Sequence, residues 1–240
     1  MPIRAVLWDV DDTLFDYTGA DRAGMRDHLE AEGLLGGFDS AEQALGLWRE
    51  VTDIHWKRFS AGETDFQGQC RDRVRAFIGA PAMSDSEADA WFSRYVGHYE
   101  AAWSLFPDTL PVLDSLADGY RHAVLSNSSL RAQEPKLRAL GVWDRFEAVL
   151  CAVELGVSKP AAEAFHAGCA ALGLPPGEVL YVGDHPEIDA RGAAGAGLAA
   201  VWLDRSGDGG EAGLVRITGL EQLPELLRGD TRFGAPDTFG

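Results

Sequence analysis

The feature that most constrains this chain is a junction near its start, where a short apolar run, Ile3 to Trp8, ends abruptly in acid. Asp9, Asp11, Asp12 and Asp16 place four carboxylates within eight residues directly after it. A half-buried strand alternates apolar and polar residues. A run without that alternation, β-branched in part and too short for a helix, is the pattern of a strand buried on both faces of a parallel sheet. Further runs of this kind are His122 to Leu125, Ala148 to Ala152, Val179 to Val182 and Ala199 to Leu203. Helical patterns lie between them, at about Asp108 to Asp118, Leu130 to Leu140, Ala161 to Leu172 and Glu187 to Ala196. Strand and helix therefore alternate from about residue 105 onward. This predicts an α/β fold with a parallel sheet and helices on both faces. Ligands bind such sheets beyond the carboxyl ends of the strands, where this chain places its polar clusters.

Residues 17–104 break the alternation. They hold no convincing strand. They do hold three Ser/Thr-x-x-Gln/Glu patterns, Ser40 to Gln43, Thr64 to Gln67 and Ser84 to Glu87, the pattern of a capping box at a helix start. Phe66, Cys70, Val74, Phe77 and Ile78 recur at helical spacing. The prediction is an all-helical insertion, residues 17–104, within an α/β domain made of residues 1–16 and 105–230. The chain end, 231–240, is rich in Gly, Pro and Asp and is expected to be a flexible tail.

Composition narrows the function. With 240 residues, 46% of them hydrophobic, the chain can bury one large core or a core domain with a smaller second one. The formal net charge of −17 argues against a nucleic-acid surface, which needs a basic footprint, and against docking on anionic lipid. Cys70, Cys151 and Cys169 have no CxxC spacing and read as buried apolar residues of a reducing compartment. No segment approaches the roughly 18 apolar residues of a membrane span. The expected location is cytoplasmic. The chain leaves its oligomeric state open.

Clustered carboxylates resist ionisation together unless a cation neutralises them. A second acidic segment, Gly183-Asp184-His185-Pro186-Glu187-Ile188-Asp189, also follows a buried run. If the two strands are neighbours, Asp9, Asp11 and Asp184 converge. Hard oxygen donors at that density suit magnesium, which takes one or two carboxylates and substrate phosphate. Ser126 ends the second strand with a hydroxyl donor. Lys159 opens a helix within Ser158-Lys159-Pro160. The chain has only three lysines, Lys57, Lys136 and Lys159, so a lysine kept there suggests a site needing a compact ammonium.

The order of these segments is distinctive. DxDxT follows the first strand, Ser126-Asn127 the second, Lys159-Pro160 precedes a helix, and GDxxxxD follows the fourth strand. In this order, the chain resembles the haloacid dehalogenase-like hydrolase superfamily along nearly its whole length, in the subgroup with a helical cap inserted after the first motif. The resemblance implies a Rossmann-like three-layer α/β core with that cap. It implies an Mg2+-dependent phosphatase acting on a small phosphorylated metabolite of nucleotide or sugar phosphate type, through an aspartyl-phosphate. Asp9 would be the nucleophile and Asp11 the general acid and base. Ser126, Asn127 and Lys159 would bind phosphate, with Asn127 shaping its loop. Magnesium would be held by Asp9, Asp184 and the backbone carbonyl of Asp11. Thr13, Gly183 and Asp189 would support the site: Thr13 as a turn-shaping hydroxyl, Gly183 by allowing close approach, Asp189 from behind the metal ligands.

Asp11 favours phosphoryl transfer over carbon–halogen cleavage, because the dehalogenases of the superfamily lack an acid two residues after the nucleophile. A phosphomutase of the β-phosphoglucomutase type remains an alternative, as does a non-catalytic binding protein of the same fold. In the insertion, Arg58, Arg71 and Arg73 could reach a second anionic group, but solvated or ion-paired helix faces explain them better. Trp48, Trp91, Phe92 and Trp103 have core-like spacing. His185 could face the cleft.

Overall fold

The structure is a computed structural model. It describes residues 2–207, 209–210 and 213–229, with the side chain of Ser60 excepted. The expected tail, 231–240, lies outside the described residues. The chain forms two compact units, residues 1–16 with 104–240 and residues 17–103.

The first unit is built on a six-stranded parallel sheet. Its strands are β1 (Ala5–Trp8), β2 (Arg121–Ser126), β3 (Ala148–Cys151), β4 (Val179–Gly183), β5 (Ala199–Leu203) and β6 (Arg216–Ile217), in the order β3-β2-β1-β4-β5-β6. β6 was not expected from the sequence. β1 lies between β2 and β4, with Trp8 level with Val124 on one side and Val182 on the other. All four β1 residues are buried. That central position explains their unbroken apolar character: both faces are covered, so no polar alternation is tolerated. Strand order runs outward from β1 in both directions. The carboxyl ends of β1, β2 and β4 therefore surround the point where ligands settle in such sheets.

In the second unit, α1 (Tyr17–Ala31), α2 (Ala41–Ser60), α3 (Phe66–Ile78) and α4 (Asp85–Ala101) pack around Met25, Leu29, Trp48, Val74, Phe77, Trp91 and Tyr95. Trp48 meets Phe77, Trp91 and Tyr95 at tilted or edge-on angles, with the Trp48 and Tyr95 centroids 4.9 Å apart, an arrangement favoured by the ring quadrupoles, while Trp91 and Tyr95 are stacked. The capping expectations hold unevenly. Ser84 and Glu87 form the reciprocal box at the start of α4. Ser40 accepts from Gln43 N, while the Gln43 side chain reaches the N–H of Asp39. Thr64 does not cap α3. Asp65 does, accepting from Gly68 N at 2.6 Å, and Gln67 turns instead to Asp89. A carboxylate one residue nearer the helix wins because it also meets the positive end of the helix dipole.

Helices flank the strands in the first unit: α5 (Thr109–Leu116), α6 (Leu130–Ala139), α7 (Ala152–Leu155), α8 (Ala162–Leu172), α9 (Gly192–Gly195) and α10 (Leu223–Gly229). The predicted helix at Glu187 to Ala196 is instead a π-helical turn over Pro186–Arg191 running into α9. Cys70, Cys151 and Cys169 are free and buried. Among the described residues no helix is long and apolar enough to cross a membrane.

Candidate active site

Asp9 continues the ladder one residue past β1, its N–H donating to Val182 O at 2.9 Å. The chain then turns back on itself. Leu14 N and Phe15 N both donate to Val10 O, and Asp12 N donates to Phe15 O. Asp12 takes φ 58°, a left-handed conformation that Asp and Asn adopt more readily than other side-chain-bearing residues. This turn sets Thr13 Oγ1 3.1 Å from Asp9 Oδ2, to which it donates. Thr13, expected only to shape the turn, thus also touches the Asp9 carboxylate.

Lys159 is 4% exposed. Its ammonium donates to Asp9 Oδ1, Asp189 Oδ1 and Tyr181 Oη, each at 2.7 Å. All three of its N–H groups are therefore engaged. Asn127 ties the loop after β2 to the same lysine. Its Nδ2 donates to Lys159 O, and its Oδ1 accepts from Lys159 N. Asp189 accepts from His185 N through Oδ2, and a Cβ on Gly183 would fall 2.5 Å from the Asp189 Cγ. His185 turns its Nδ1 to the N–H groups of Glu187 and Ile188, capping the π-helical turn.

A second lysine enters from α6. Lys136 Nζ donates to Asp11 Oδ1 at 2.6 Å and lies 4.3 Å from the Phe15 ring centroid. Gln133 Nε2, one helical turn earlier, donates to Asp11 Oδ2 at 2.7 Å and to Ser126 Oγ at 3.0 Å. Sequence reasoning missed Tyr181, Gln133 and Lys136. Tyr181 is one apolar-looking residue in a buried strand. Gln133 and Lys136 share a helix face by their i, i+3 spacing, but that spacing alone does not say what the face meets.

Thus Asp9, Asp11, Thr13, Ser126, Asn127, Lys159, Gly183, Asp184 and Asp189 all stand at the carboxyl ends of β1, β2 and β4 or on the loops beside them. The arginines singled out in the helical unit are held there. Arg58 pairs with Glu63 and Asp72, Arg71 with Asp85 and Asp89. Arg73 lies against the rings of Trp48 and Phe92.

Burial pushes the Asp9 carboxyl above the usual carboxylate range. The Lys159 ammonium pulls it back, and Asp189 and Asp11 push it up again. Burial, then Asp9, Asp189 and Asp12, push Asp184 up in the same way. Burial works against the charge on Lys159, yet Asp9 and Asp189 together outweigh it and hold the ammonium charged. One carboxylate oxygen from each of Asp9, Asp184 and Asp189 lies within 4.8 Å of the others. This donor set fits a hard divalent cation: oxygen only, crowded, and ionised at a cost that a cation removes.

A family model for haloacid dehalogenase-like hydrolases matches residues 3–197. A phosphoserine phosphatase of Thermus thermophilus is 30% identical, the alignment covering 96% of this chain and 97% of that protein. Several other relatives between 26% and 32% identical are also named phosphatases. Among solved structures, the HAD-hydrolase YfnB of Bacillus subtilis, bound to magnesium, matches with a TM-score of 0.75 at 19% identity, over 95% of this chain and 99% of that one. A 2-haloacid dehalogenase of Pseudomonas syringae matches with a TM-score of 0.66 at 27% identity, over 94% and 98%. With a family match over most of its length and a site at the carboxyl ends of a parallel sheet, the chain belongs to the haloacid dehalogenase-like hydrolases.

Proposed function

We propose that this hydrolase is a magnesium-dependent phosphatase that acts on a small phosphorylated metabolite of nucleotide or sugar phosphate type through an aspartyl-phosphate on Asp9. The observation that carries this reading is the pair of carboxylates on one tight turn. Asp9 is buried against Lys159 and Thr13, and Asp11, 31% exposed, stands two residues beyond it. A buried, oriented carboxylate suits a nucleophile; a second one reaching the opening suits a proton carrier. Relatives named as phosphatases support the same reading, while cleavage of a carbon–halogen bond gives Asp11 no task.

In the first step an Asp9 carboxylate oxygen attacks phosphorus in line. The bond to the leaving alcohol oxygen breaks as that oxygen takes the proton of Asp11. In the second step Asp11, now ionised, takes a proton from water, and the water oxygen attacks phosphorus as the bond between phosphorus and the Asp9 oxygen breaks, its electron pair returning to the Asp9 carboxylate. Inorganic phosphate leaves, and both carboxylates return to their starting states. Ser126 and Lys159 would meet the phosphoryl oxygens, Lys159 exchanging one of its three present contacts for a phosphoryl oxygen, and the Asn127 amide ties down the loop that carries Lys159. Asp9, Asp184 and the Asp11 carbonyl would hold magnesium, with Asp189 supporting from behind, its oxygens accepting from Lys159 Nζ and His185 N. When bound, the ion offsets repulsion between the Asp9 carboxylate and the phosphate and stabilises charge on the transferring group. Residues 17–103 are assigned as the cap, the part of the chain that would choose the leaving group.

The test is phosphate release from p-nitrophenyl phosphate and a panel of nucleotide and sugar phosphates. Turnover is expected with Mg2+ and not with EDTA, and Asp9→Asn is expected to lower it at least about 10³-fold. A folded wild type that releases no phosphate from any member would overturn the proposal.

A further inference from the structure

We infer that Gln133 and Lys136 are positioning residues for Asp11: a two-point clamp on α6 that fixes the Asp11 carboxylate for proton transfer to the leaving oxygen. This rests on the reading of Asp11 as the general acid. Four observations carry it. First, the clamp takes both Asp11 oxygens, Lys136 Nζ on Oδ1 at 2.6 Å and Gln133 Nε2 on Oδ2 at 2.7 Å. A carboxylate held at two points keeps one orientation about its last torsion, whereas a single contact leaves it free to turn.

Second, the clamp is referenced to the phosphate end of the site. The other N–H of Gln133 donates to Ser126 Oγ at 3.0 Å, so one rigid amide sets the spacing between Asp11 and the residue that ends β2. The amide group facing Asp11 must be the NH2, since its oxygen there would lie 2.7 Å from a carboxylate oxygen that only accepts. Third, Gln133 is fully buried and its Oε1 has no hydrogen-bond partner among the described residues. A buried acceptor left unmet costs stability. An apolar side chain would suit packing better, so the amide is explained by what its Nε2 holds. Fourth, the chain has three lysines among 21 basic residues, and two of them, Lys136 and Lys159, are buried against the acids of this site. Lys136 is itself braced over the Phe15 ring, on the same turn that carries Asp11.

The leaving-group dependence of kcat/KM tests this. Phenyl phosphate and p-nitrophenyl phosphate present the same ring, but phenolate leaves poorly without a proton and p-nitrophenolate leaves well. Asp11→Asn is the reference and is expected to lose far more on phenyl phosphate. Lys136→Met and Gln133→Met are expected to show the same grading: a loss of about 10²-fold on phenyl phosphate and under about 5-fold on p-nitrophenyl phosphate. Gln133→Met is also expected to melt no lower than wild type, since it removes an unmet buried acceptor. If Asp11→Asn is graded but both clamp variants lose equally on the two substrates, or lose nothing, the clamp is wrong and the role of Asp11 stands. If Asp11→Asn itself is not graded, the acid assignment fails and the clamp with it.

Discussion

A single methyl group on residue 183 would sit 2.5 Å from the Asp189 Cγ and 2.6 Å from its Oδ2. No Cβ makes such contacts, so Gly183→Ala must move Asp189. That carboxylate holds one N–H of Lys159 and the N–H of His185. Moving it loosens the lysine that faces Asp9 and the loop that carries Asp184. Gly183→Ala is therefore expected to fold, because the contact is with one side chain and not with backbone. Its kcat/KM for phosphate release should fall by about 10- to 100-fold, the usual cost of losing support behind a metal site, here the magnesium site proposed for Asp9 and Asp184. The Mg2+ concentration for half-maximal activity should rise. Unchanged activity and unchanged Mg2+ dependence would show that Asp189 is not held where the geometry puts it. Asp12 makes the complementary point. Its φ of 58° is a conformation glycine takes freely, and here an aspartate fills it on the turn between Asp11 and Thr13.

Elements distant in sequence meet on the acidic turn. Arg205, two residues after β5, donates to Thr13 O at 2.7 Å and pairs with both oxygens of Asp108 at 3.0 Å, just before α5. Its guanidinium lies 3.7 Å from the Phe106 ring centroid, and Asp108 also accepts from Leu220 N. The turn after β1 is thereby braced from β5, α5 and the segment before α10. Arg205→Met leaves Asp108 without its ionic partner and Thr13 O without its donor. Since the pair is about a fifth exposed, the expected loss of stability is on the order of 2 kcal/mol, with a lower kcat because Asp9 and Asp11 share the turn. A denaturant titration beside a rate measurement checks both, and unchanged values in each would remove the brace from the account. Long-range contacts of this kind are what the sequence conceals. β1, β2 and β4 were legible because residues buried on both faces leave an unbroken apolar run, and Asp9, Ser126 and Asp184 could be grouped because each ends or follows such a run. β6 was not legible, being two residues long with Arg216 exposed. Neither was the meeting of Lys136 with Asp11. It depends on α6 lying beside the turn after β1, which follows from strand order and not from any local pattern.

At the scale of the whole molecule, acid acts on both units through buried histidines. His28, in α1, is 0% exposed, and neither of its ring nitrogens has a hydrogen-bond partner among the described residues. Its ring lies against Trp91 at 4.3 Å, with Tyr95, His98, Glu32 and Arg94 nearby. Burial lowers its pKa to about 4; His98 and Arg94 add to the effect and Glu32 opposes it. His122, in β2, accepts from Trp8 Nε1 through Nδ1 at 3.0 Å, which requires that nitrogen unprotonated, and burial takes it to about 4 as well. An unfolded histidine titrates near 6.5. Between pH 6.5 and 4 the unfolded chain therefore binds more protons than the folded one, and stability falls as pH falls through that window. For His28 the full effect below pH 4 is on the order of 3 kcal/mol. The site carboxylates Asp9 and Asp184 are shifted up and push the other way over part of the same range. Lower pH also relieves the repulsion behind a net charge of −17. The wild-type curve alone is thus a sum of opposing slopes, and the informative quantity is a difference between variants. His28→Phe keeps an aromatic ring against Trp91 and removes both unmet nitrogens. It should match or exceed wild type at pH 7, and its advantage should grow below pH 6.5 to about 3 kcal/mol near pH 4. The carboxylates and the net charge act almost equally on both proteins and cancel in the comparison. A difference that stays flat with pH would mean that His28 is already protonated in the folded helical unit, or reaches water there.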